Sequence, residues 1–298
     1  MLRRPTRVTP AGAVALTVLL AGAGGCLWLA LGTEPPRASL EDLRRRGEVS
    51  LGIANEEPYG YLDTARGELT GEAPELARVI FGRLGVPRTD AVTSQFGALI
   101  PGLRAGRFDV IAAGMYVTPA RCERVAFSRP TYRIGEAFVV PRGNPLDLHS
   151  YADVAANEEA TLGVVAGTIE RVYARRTGVP DERVVILNDN VSALSAVRTG
   201  QVSAFAGTQL TVRSLLDKTD GRALEEATPF TQPVIDGEEV WGYGAFAFRP
   251  RDVALREAFD RELGAFLGTE AHLALVRPFG FREENLPGDV TVEELCDG

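Results

Sequence analysis

Residues 96–128 constrain the fold of this chain more than any other stretch. They begin with apolar residues at one- and three-residue steps from Leu99 to Leu103, a spacing that predicts a helix, and Gly106 ends the pattern. The run that follows, F-D-V-I-A-A at 108–113, predicts a short buried strand. A short helix that leads directly into a buried strand is typical of α/β proteins, in which helices cover a sheet.

A polar and aromatic turn follows this strand. Gly114 is expected to end the strand, and M-Y-V-T-P-A-R at 115–121 then forms a turn at its carboxyl end. In open α/β sheets, this edge is where ligands bind. The turn is therefore the first candidate for a binding site.

The rest of the chain repeats the alternation of strands and helices in two series. The first series ends near residue 113 and includes a helix predicted over 74–84, and the second includes a helix predicted over 151–156. Such alternation predicts a parallel sheet in each series. The chain passes between the two series twice, at 138–142 and at about 238–244. Two crossings between two lobes form a hinge, and closure of such a hinge around a solute is a known motion.

Short motifs in this order resemble a known family. G-R-F-D-V, A-G-M, T-P-x-R and V-A-F-S follow the first helix within 96–128, as they do in the polar-solute-binding proteins of ATP-binding-cassette (ABC) importers. The resemblance extends over residues 45–285. Two segments, A-N-E-E-P-Y-G-Y-L-D at 54–63 and G-M-Y-V-T-P-A-R-C-E at 114–123, are most similar to the ectoine/hydroxyectoine receptors of that family.

This resemblance implies an α/β fold of the type II periplasmic-binding-protein class. Each lobe is expected to be a mostly parallel sheet with helices on both faces, and a two-stranded hinge joins the lobes. Residues 45–140 and 243–298 are expected to form lobe 1, and residues 141–242 lobe 2. The implied function is that of a monomeric receptor that captures ectoine or hydroxyectoine, a compact zwitterion, and delivers it to an ABC permease.

The amino terminus carries an export signal. Three arginines precede an uncharged, apolar run over 11–32, which is the pattern of a secretory signal or a membrane anchor. The sequence A-G-G-C that ends at Cys26 resembles a lipoprotein processing site, where the cysteine would be lipidated. An uncleaved helix is the alternative, since about 20 apolar residues cross a bilayer. Residues 1–32 are thus a signal or anchor and 33–44 a tether, which places the receptor outside the cytoplasm, anchored to the membrane or periplasmic.

The remaining cysteines, Cys122 and Cys296, form an even pair if Cys26 is lipidated. An even number of cysteines in an exported protein favours a disulfide. Such a bond would fix the carboxyl-terminal tail across lobe 1. Two unpaired thiols are the alternative.

Charge and composition exclude several classes of function. The formal net charge of -8 is the opposite of the clustered basic surface that nucleic-acid binding requires. The two histidines, His149 and His272, lie outside the predicted cleft segments, so neither a metal centre nor a histidine base is indicated. Phosphate-binding and nucleophile-elbow motifs are absent from the sequence. The sequence indicates no cofactor and no nucleic-acid partner.

Arg121 is the first candidate for a solute contact. A guanidinium offers a fork of donors that matches a carboxylate, and the resemblance implies that the arginine of T-P-x-R holds the solute's carboxylate. Gly167 and Thr168 form a turn before a predicted helix of lobe 2, whose free N–H groups could bind the same carboxylate. A plain threonine cap of that helix is the alternative.

Aromatic rings and one glutamate are the candidates for the cationic end of the solute. In the ectoine receptors, aromatic rings surround the amidine, and Tyr59, Phe96 and Tyr116 match that set. Cation–π attraction contributes ~0.5–2 kcal/mol per ring. Either Glu56 or Glu57 is expected to accept hydrogen bonds from the amidine, and the resemblance favours Glu56.

One difference from the amino acid receptors separates two hypotheses. Those receptors carry an aspartate after a lobe 2 strand that binds the α-ammonium group, whereas this chain has Gly207 and Thr208 in that region. Without that carboxylate, an amino acid loses a charge-assisted hydrogen bond of roughly 1.5–3 kcal/mol. Asp189, in an N-D-N turn, could replace it, so a receptor for polar or cationic amino acids is the alternative.

The resemblance predicts a binding protein and no enzyme. A secreted lyase or dehydratase on the same fold is the alternative from another class, with Glu56, Glu57 or Glu170 as its carboxylate. The expected ligand contacts come from the turns at the cleft: Glu56, Glu57, Tyr59, Phe96, Gly114, Tyr116, Arg121, Gly167, Thr168 and Asp189.

Overall fold

The computed structural model describes residues 38–297 of the chain. The predicted signal or anchor over residues 1–32, including Cys26, lies outside the described residues. Within residues 38–297, none of the helices combines the length and the apolar character needed to cross a membrane.

The first helix shows where the folded part begins. Helix α1 (Leu40–Arg46) is capped by Ser39, whose hydroxyl accepts a hydrogen bond from the Asp42 N–H, and it ends at Gly47, which has a φ of 67°. Leu43 is fully buried in the core of the first lobe. Helix α1 thus includes residues 40–44 of the predicted tether, and Leu43 packs this part of the tether into the folded protein.

Fifteen strands and eleven α-helices occur in residues 38–297. The strands are β1 (Glu48–Ile53), β2 (Tyr61–Asp63), β3 (Glu68–Thr70), β4 (Arg88–Thr93), β5 (Val110–Tyr116), β6 (Ala126–Phe127), β7 (Tyr132–Ile134), β8 (Glu136–Pro141), β9 (Leu162–Val165), β10 (Val184–Leu187), β11 (Ala204–Thr208), β12 (Leu224–Glu226), β13 (Val234–Ile235), β14 (Glu238–Glu239) and β15 (Gly242–Phe248). The further helices are α2 (Glu72–Arg83), α3 (Leu99–Arg104), α4 (Pro119–Cys122), α5 (Tyr151–Ala156), α6 (Glu170–Arg176), α7 (Asn190–Arg198), α8 (Gln209–Asp217), α9 (Val253–Phe266), α10 (Glu270–Val276) and α11 (Val292–Asp297).

Two large sheets divide the chain, and we keep the names lobe 1 and lobe 2 for the parts built on them. The lobe 1 sheet has the order β4-β1-β5-β15-β6, with β7 also paired to β15. The lobe 2 sheet has the order β10-β9-β11-β8-β12. Two small hairpins, β2–β3 and β13–β14, complete the strands. The predicted two-lobed α/β fold is confirmed.

Each sheet is mixed, where the sequence predicted mostly parallel sheets. Strands β4, β1 and β5 are parallel, as are β10, β9 and β11. Strand β15 runs antiparallel to β5, β6 and β7, and strand β8 runs antiparallel to β11 and β12. Both β8 and β15 enter their sheets directly from the other lobe. Because an antiparallel strand needs no helical crossover, this direct entry accounts for their reversed direction.

The cores lie on both faces of each sheet. In β5, Val110 and Ala112 belong to one apolar cluster, and Ile111 and Ala113 belong to another on the opposite face. Strand β8 shows the same alternation between two clusters of lobe 2. Side chains of a strand alternate between its two faces, so both faces of each sheet are covered.

The first crossing between the lobes is at Gly135, between β7 and β8. Strand β8 belongs to the lobe 2 sheet, so the crossing precedes the predicted position of 138–142. Gln232 fixes the beginning of β8, because its side chain accepts from the Glu136 N–H at 2.6 Å and donates to the Glu136 carbonyl at 2.9 Å. The chain returns between β14 and β15, within the predicted 238–244.

Gly114 does not end strand β5, which continues to Tyr116. The pairing of β5 with β15 is irregular between Ala245 and Ala247, opposite the region of Gly114. Gly114 has a φ of 63°, and a Cβ built there would lie 2.5 Å from the Tyr59 ring. Glycine is thus required at this position by both the backbone conformation and the close packing. The strand bulges where the sequence suggested that it stops.

Candidate functional site

A cavity lies between the two lobes, at the carboxyl ends of the parallel strands. The empty space between its walls is about 310 Å³, including the part that is open to solvent. Its lining side chains come from both lobes: Glu56, Tyr59, Phe96, Ala113, Gly114, Tyr116 and Arg121 from lobe 1, and Thr168, Ile169, Glu170 and Thr208 from lobe 2. Seven of the ten residues expected to contact a ligand therefore lie on one cavity.

Arg121 is held in place by main-chain groups of both lobes. It lies in the short helix α4, and its guanidinium donates to the Tyr116 carbonyl at 2.8 Å and to the Gly167 carbonyl at 3.1 Å. The ring of Phe96 lies 5.4 Å from the guanidinium carbon. Burial lowers the pKa of Arg121, and the nearby Glu170 opposes that effect. A partly desolvated guanidinium in a fixed position is suited to a carboxylate.

The three predicted aromatic side chains surround this cavity. Tyr59 is buried, and its hydroxyl lies 2.7 Å from the Thr208 Oγ1 of lobe 2. The ring of Tyr116 packs on Gly242, where a Cβ would approach within 1.8 Å of it. Burial raises the pKa of both tyrosines, so both are neutral at physiological pH. Together with Phe96, they offer uncharged π faces to a bound cation.

Glu56 and Glu57, which the sequence could not separate, occupy different places. Glu56 lines the cavity, and its Oε1 accepts a hydrogen bond from the Thr211 hydroxyl of lobe 2 at 2.8 Å. Burial raises the pKa of Glu56. Glu57 instead forms an ion pair with Lys218 at the surface. The structure therefore places Glu56 and not Glu57 at the cavity.

The turn at Gly167 and Thr168 differs in detail from both predicted arrangements. Thr168 lines the cavity, but its hydroxyl donates to the Val165 carbonyl at 2.9 Å and does not cap helix α6. Gly167 uses its carbonyl to accept from Arg121. A Cβ on Gly167 would lie 2.5 Å from the Cα of Gly97. These two glycines allow the lobes to approach closely.

Asp189 lies away from this cavity. Its carboxylate accepts from the Ser192 N–H at 2.7 Å and caps helix α7. It borders a second cavity of about 890 Å³, which shares the walls Glu56 and Phe96 with the first. Because Asp189 caps a helix and does not line the first cavity, its position gives no support to the hypothesis that it binds the ammonium group of an amino acid.

Two buried carboxyl groups of lobe 2, on Glu136 and Glu170, stand beside the cavity. Glu136 Oε2 accepts from the Tyr151 hydroxyl at 3.1 Å. Burial raises the pKa of Glu136, and burial raises the pKa of Glu170 to about 7. The sequence analysis missed Glu136, although a charged residue that opens the apolar strand E-A-F-V-V-P was an available signal.

Contacts between the lobes show a closed arrangement. Besides the Tyr59–Thr208 and Thr211–Glu56 hydrogen bonds, the Glu57–Lys218 ion pair also joins the two lobes.

Within the described part of the chain, no group of three or more His, Cys, Asp or Glu side chains is placed to hold a metal ion. The site therefore offers hydrogen bonds, one guanidinium, carboxyl groups and aromatic faces to a solute.

A disulfide joins Cys122 and Cys296, with a Cα–Cα distance of 5.8 Å. Cys122 ends helix α4, next to Arg121, and Cys296 lies in the last helix, α11. The bond therefore ties the carboxyl-terminal helix to the element that carries the guanidinium.

Comparison with known proteins identifies the family. The model of the bacterial extracellular solute-binding proteins, family 3, matches residues 49–275. The chain belongs to this family. It is an extracytoplasmic solute-binding receptor of an ABC importer, and its partners are a small polar solute and a membrane permease.

Individual relatives of this receptor differ in the solute that their names specify. This chain is 38% identical to the probable amino-acid ABC transporter periplasmic-binding protein y4tE of Sinorhizobium fredii. The alignment extends over 262 residues and covers 87% of this chain and 86% of y4tE. EhuB in complex with hydroxyectoine is 37% identical, with a TM-score of 0.78 over 86% of this chain and 97% of EhuB. The arginine-bound, truncated ArgBP from T. maritima is 26% identical, with a TM-score of 0.65 over 76% of this chain and 99% of that one.

Proposed function

We propose that this receptor captures ectoine or hydroxyectoine between its lobes and delivers it to the permease. The first support is the combination of groups on the cavity. Arg121 provides a guanidinium for the solute's carboxylate, with Thr168 beside it. Glu56 and the rings of Tyr59 and Tyr116 would bind the cationic end of the solute. They offer a carboxyl group and π faces to its delocalised positive charge. Phe96 also contributes a ring to this wall.

The observation that carries the proposal is the environment of Thr208. In receptors for amino acids, the resemblance places an ammonium-binding aspartate in this region. Here the residue is a neutral threonine, and its Oγ1 is occupied by the Tyr59 hydroxyl at 2.7 Å and by Thr211. A cation at this point would meet no carboxylate from strand β11. The cavity therefore suits a cation placed between aromatic rings near Glu56.

A receptor for polar or cationic amino acids is the second candidate, because one observation favours it. Glu170 is a further carboxyl group on the cavity, and it comes from lobe 2, as the missing aspartate would. The name of the y4tE relative also specifies an amino acid. An α-ammonium group that reached Glu170 would restore the charge-assisted bond.

We further propose that residues 38–135 and 242–297 act as lobe 1 and residues 136–241 as lobe 2. A second proposal is that Cys26 is the lipidated amino terminus of the mature receptor. Mass spectrometry of the receptor purified from its own membrane tests the second point. A diacylglyceryl-modified Cys26 supports it, and a chain that begins at another residue contradicts it.

Isothermal titration calorimetry with a set of solutes tests the function. We expect saturable binding of ectoine and hydroxyectoine, and no heat of binding with arginine or glutamine. Tight binding of arginine or glutamine without ectoine binding would instead establish the second candidate. A solute that co-purifies with the receptor should first be removed by unfolding and refolding, since the closed cavity would retain it.

A further inference from the structure

Glu170 has an environment that the structure of the protein alone does not explain. It is the first residue of helix α6, it lines the cavity, and its side chain is only 4% exposed. Its Oε2 is buried and has no hydrogen-bond partner among residues 38–297. An unsatisfied buried acceptor destabilises a folded protein. Because Glu170 lines the cavity, a bound solute could supply the hydrogen-bond donor that its Oε2 lacks.

The charges around Glu170 show which kind of partner is missing. The ionisable groups near Glu170 are the carboxyl groups of Glu56 and Glu136 and the guanidinium of Arg121, together with two buried phenols, Tyr151 and Tyr173. Arg121 already gives hydrogen bonds to two main-chain carbonyls. The Thr168 hydroxyl donates to the Val165 carbonyl, and hydrogen bonding from Thr168 and from the Glu170 N–H lowers the pKa of Glu170 against the larger effect of burial. Oε2 is the oxygen of this carboxyl group that is left without a partner. Glu56 and Glu170 place two carboxyl groups on a cavity with one guanidinium, and Glu136 lies behind them. The Tyr116 hydroxyl on the same cavity is also buried without a partner. Glu170 Oε2 therefore lacks a donor, and a solute hydroxyl could donate to it and accept from a phenol such as Tyr116.

We propose that Glu170 is a specificity-determining contact that accepts a hydrogen bond from an O–H or N–H donor of the solute. This donor is additional to the carboxylate and the amidine, whose positions at Arg121 and Glu56 rest on the proposed function. In the ectoine series it is the ring hydroxyl, which hydroxyectoine has and ectoine lacks. In an amino acid it is a second nitrogen.

A buried acceptor discriminates strongly between two solutes that differ only by one donor group. The solute that lacks the donor leaves the acceptor unpaired in the complex. We therefore expect the receptor to bind hydroxyectoine roughly tenfold more tightly than ectoine. Replacement of Glu170 by leucine keeps a side chain of similar size and removes the acceptor. The preference should then fall to less than about threefold.

Titration calorimetry with two matched pairs of solutes tests this. The pairs are hydroxyectoine with ectoine, and ornithine with norvaline, and each pair differs by one donor. The proteins are wild type, Glu170→Leu, the isosteric Glu170→Gln, and Glu182→Leu as a control on an exposed glutamate of lobe 2. Thermal unfolding without solute provides a second readout: loss of an unsatisfied acceptor should leave the melting temperature unchanged or higher, whereas a structural role for Glu170 would lower it.

The outcomes separate this inference from the proposed function. A preference for hydroxyectoine in wild type and Glu182→Leu that is lost in Glu170→Leu supports both. Ectoine and hydroxyectoine binding with no preference, or with the same preference in both Glu170 variants, overturns the inference and leaves the function. Binding of only the amino acid pair, with a Glu170-dependent preference for ornithine, overturns the function and supports the inference. Failure of both pairs to bind folded wild type contradicts both.

Discussion

The hydroxyl of Tyr59 in lobe 1 lies 2.7 Å from the Oγ1 of Thr208 in lobe 2. This hydrogen bond is buried at the wall of the cavity, and it can form only when the two lobes are closed. Its strength is therefore part of the closing energy and contributes to the affinity for the solute. Tyr59 thus has two roles: its ring faces the cavity, and its hydroxyl joins the lobes.

Tyr59→Phe keeps the ring and removes the hydroxyl. The loss of one net hydrogen bond, about 0.5–1.5 kcal/mol, should weaken solute binding by roughly 2- to 12-fold. Thr208→Val removes the other partner, so the double variant should bind little worse than the weaker single variant. Calorimetric affinities of the four proteins form a double-mutant cycle. Fully additive losses would show that the hydroxyl contact is not a coupled pair.

Gly114 should be far less tolerant of substitution than Gly143, a glycine that also has a positive φ but has open space around it. In Gly114→Ala, the left-handed conformation costs about 1–2 kcal/mol, and overpacking against Tyr59 and the Tyr132 hydroxyl adds about 1–3 kcal/mol. Gly143 is the matched control, since its φ is 81° and no atom lies within 4 Å of the position that a Cβ would take there. Urea unfolding of both alanine variants measures the difference. Equal destabilisation would contradict the packing argument.

Glu72 should make the stability of lobe 1 depend on pH. It is buried beside Tyr132, and burial raises its pKa from 4.5 to about 8. Between these values, the folded state keeps a proton that the unfolded state has lost. The contribution of Glu72 to the free energy of unfolding is therefore complete below about pH 4.5 and is lost as the pH rises to about 8.

Glu72→Gln removes this titration. The variant should match wild type near pH 4.5 and exceed its free energy of unfolding by on the order of 3 kcal/mol near pH 8. Urea unfolding at a series of pH values measures the gap, and the exposed Glu68→Gln serves as the control. A gap that stays constant with pH would mean that Glu72 is ionised in the folded protein.

Local sequence patterns were sufficient for the alternation of elements. Helix α5 has the predicted bounds of 151–156, and the predicted helix at 74–84 is α2 over Glu72–Arg83. Apolar spacing determines such elements because each buries one face against a sheet. The mixed pairing of β8 and β15 was not predictable, since the direction of a strand depends on the lobe from which it enters.

The site was predictable only as far as its motifs extend. Arg121, Tyr59 and Tyr116 come from turns with recognisable motifs, and the structure brings them to one cavity. Glu136 and Glu170 come from different elements of lobe 2, and their proximity arises from tertiary packing. Local sequence could not separate Glu56 from Glu57 either, because the conformation of the turn decides which side chain faces the cavity.

The most direct test of the account is the affinity for hydroxyectoine of Arg121→Ala beside Arg124→Ala. Arg121 lines the cavity, whereas Arg124, three residues later, is exposed. Two charge-assisted hydrogen bonds to the carboxylate correspond to a loss of at least about 100-fold in Arg121→Ala. We predict that loss in titration calorimetry, together with wild-type affinity in Arg124→Ala. Unchanged binding in Arg121→Ala would contradict the claim that this guanidinium holds the solute.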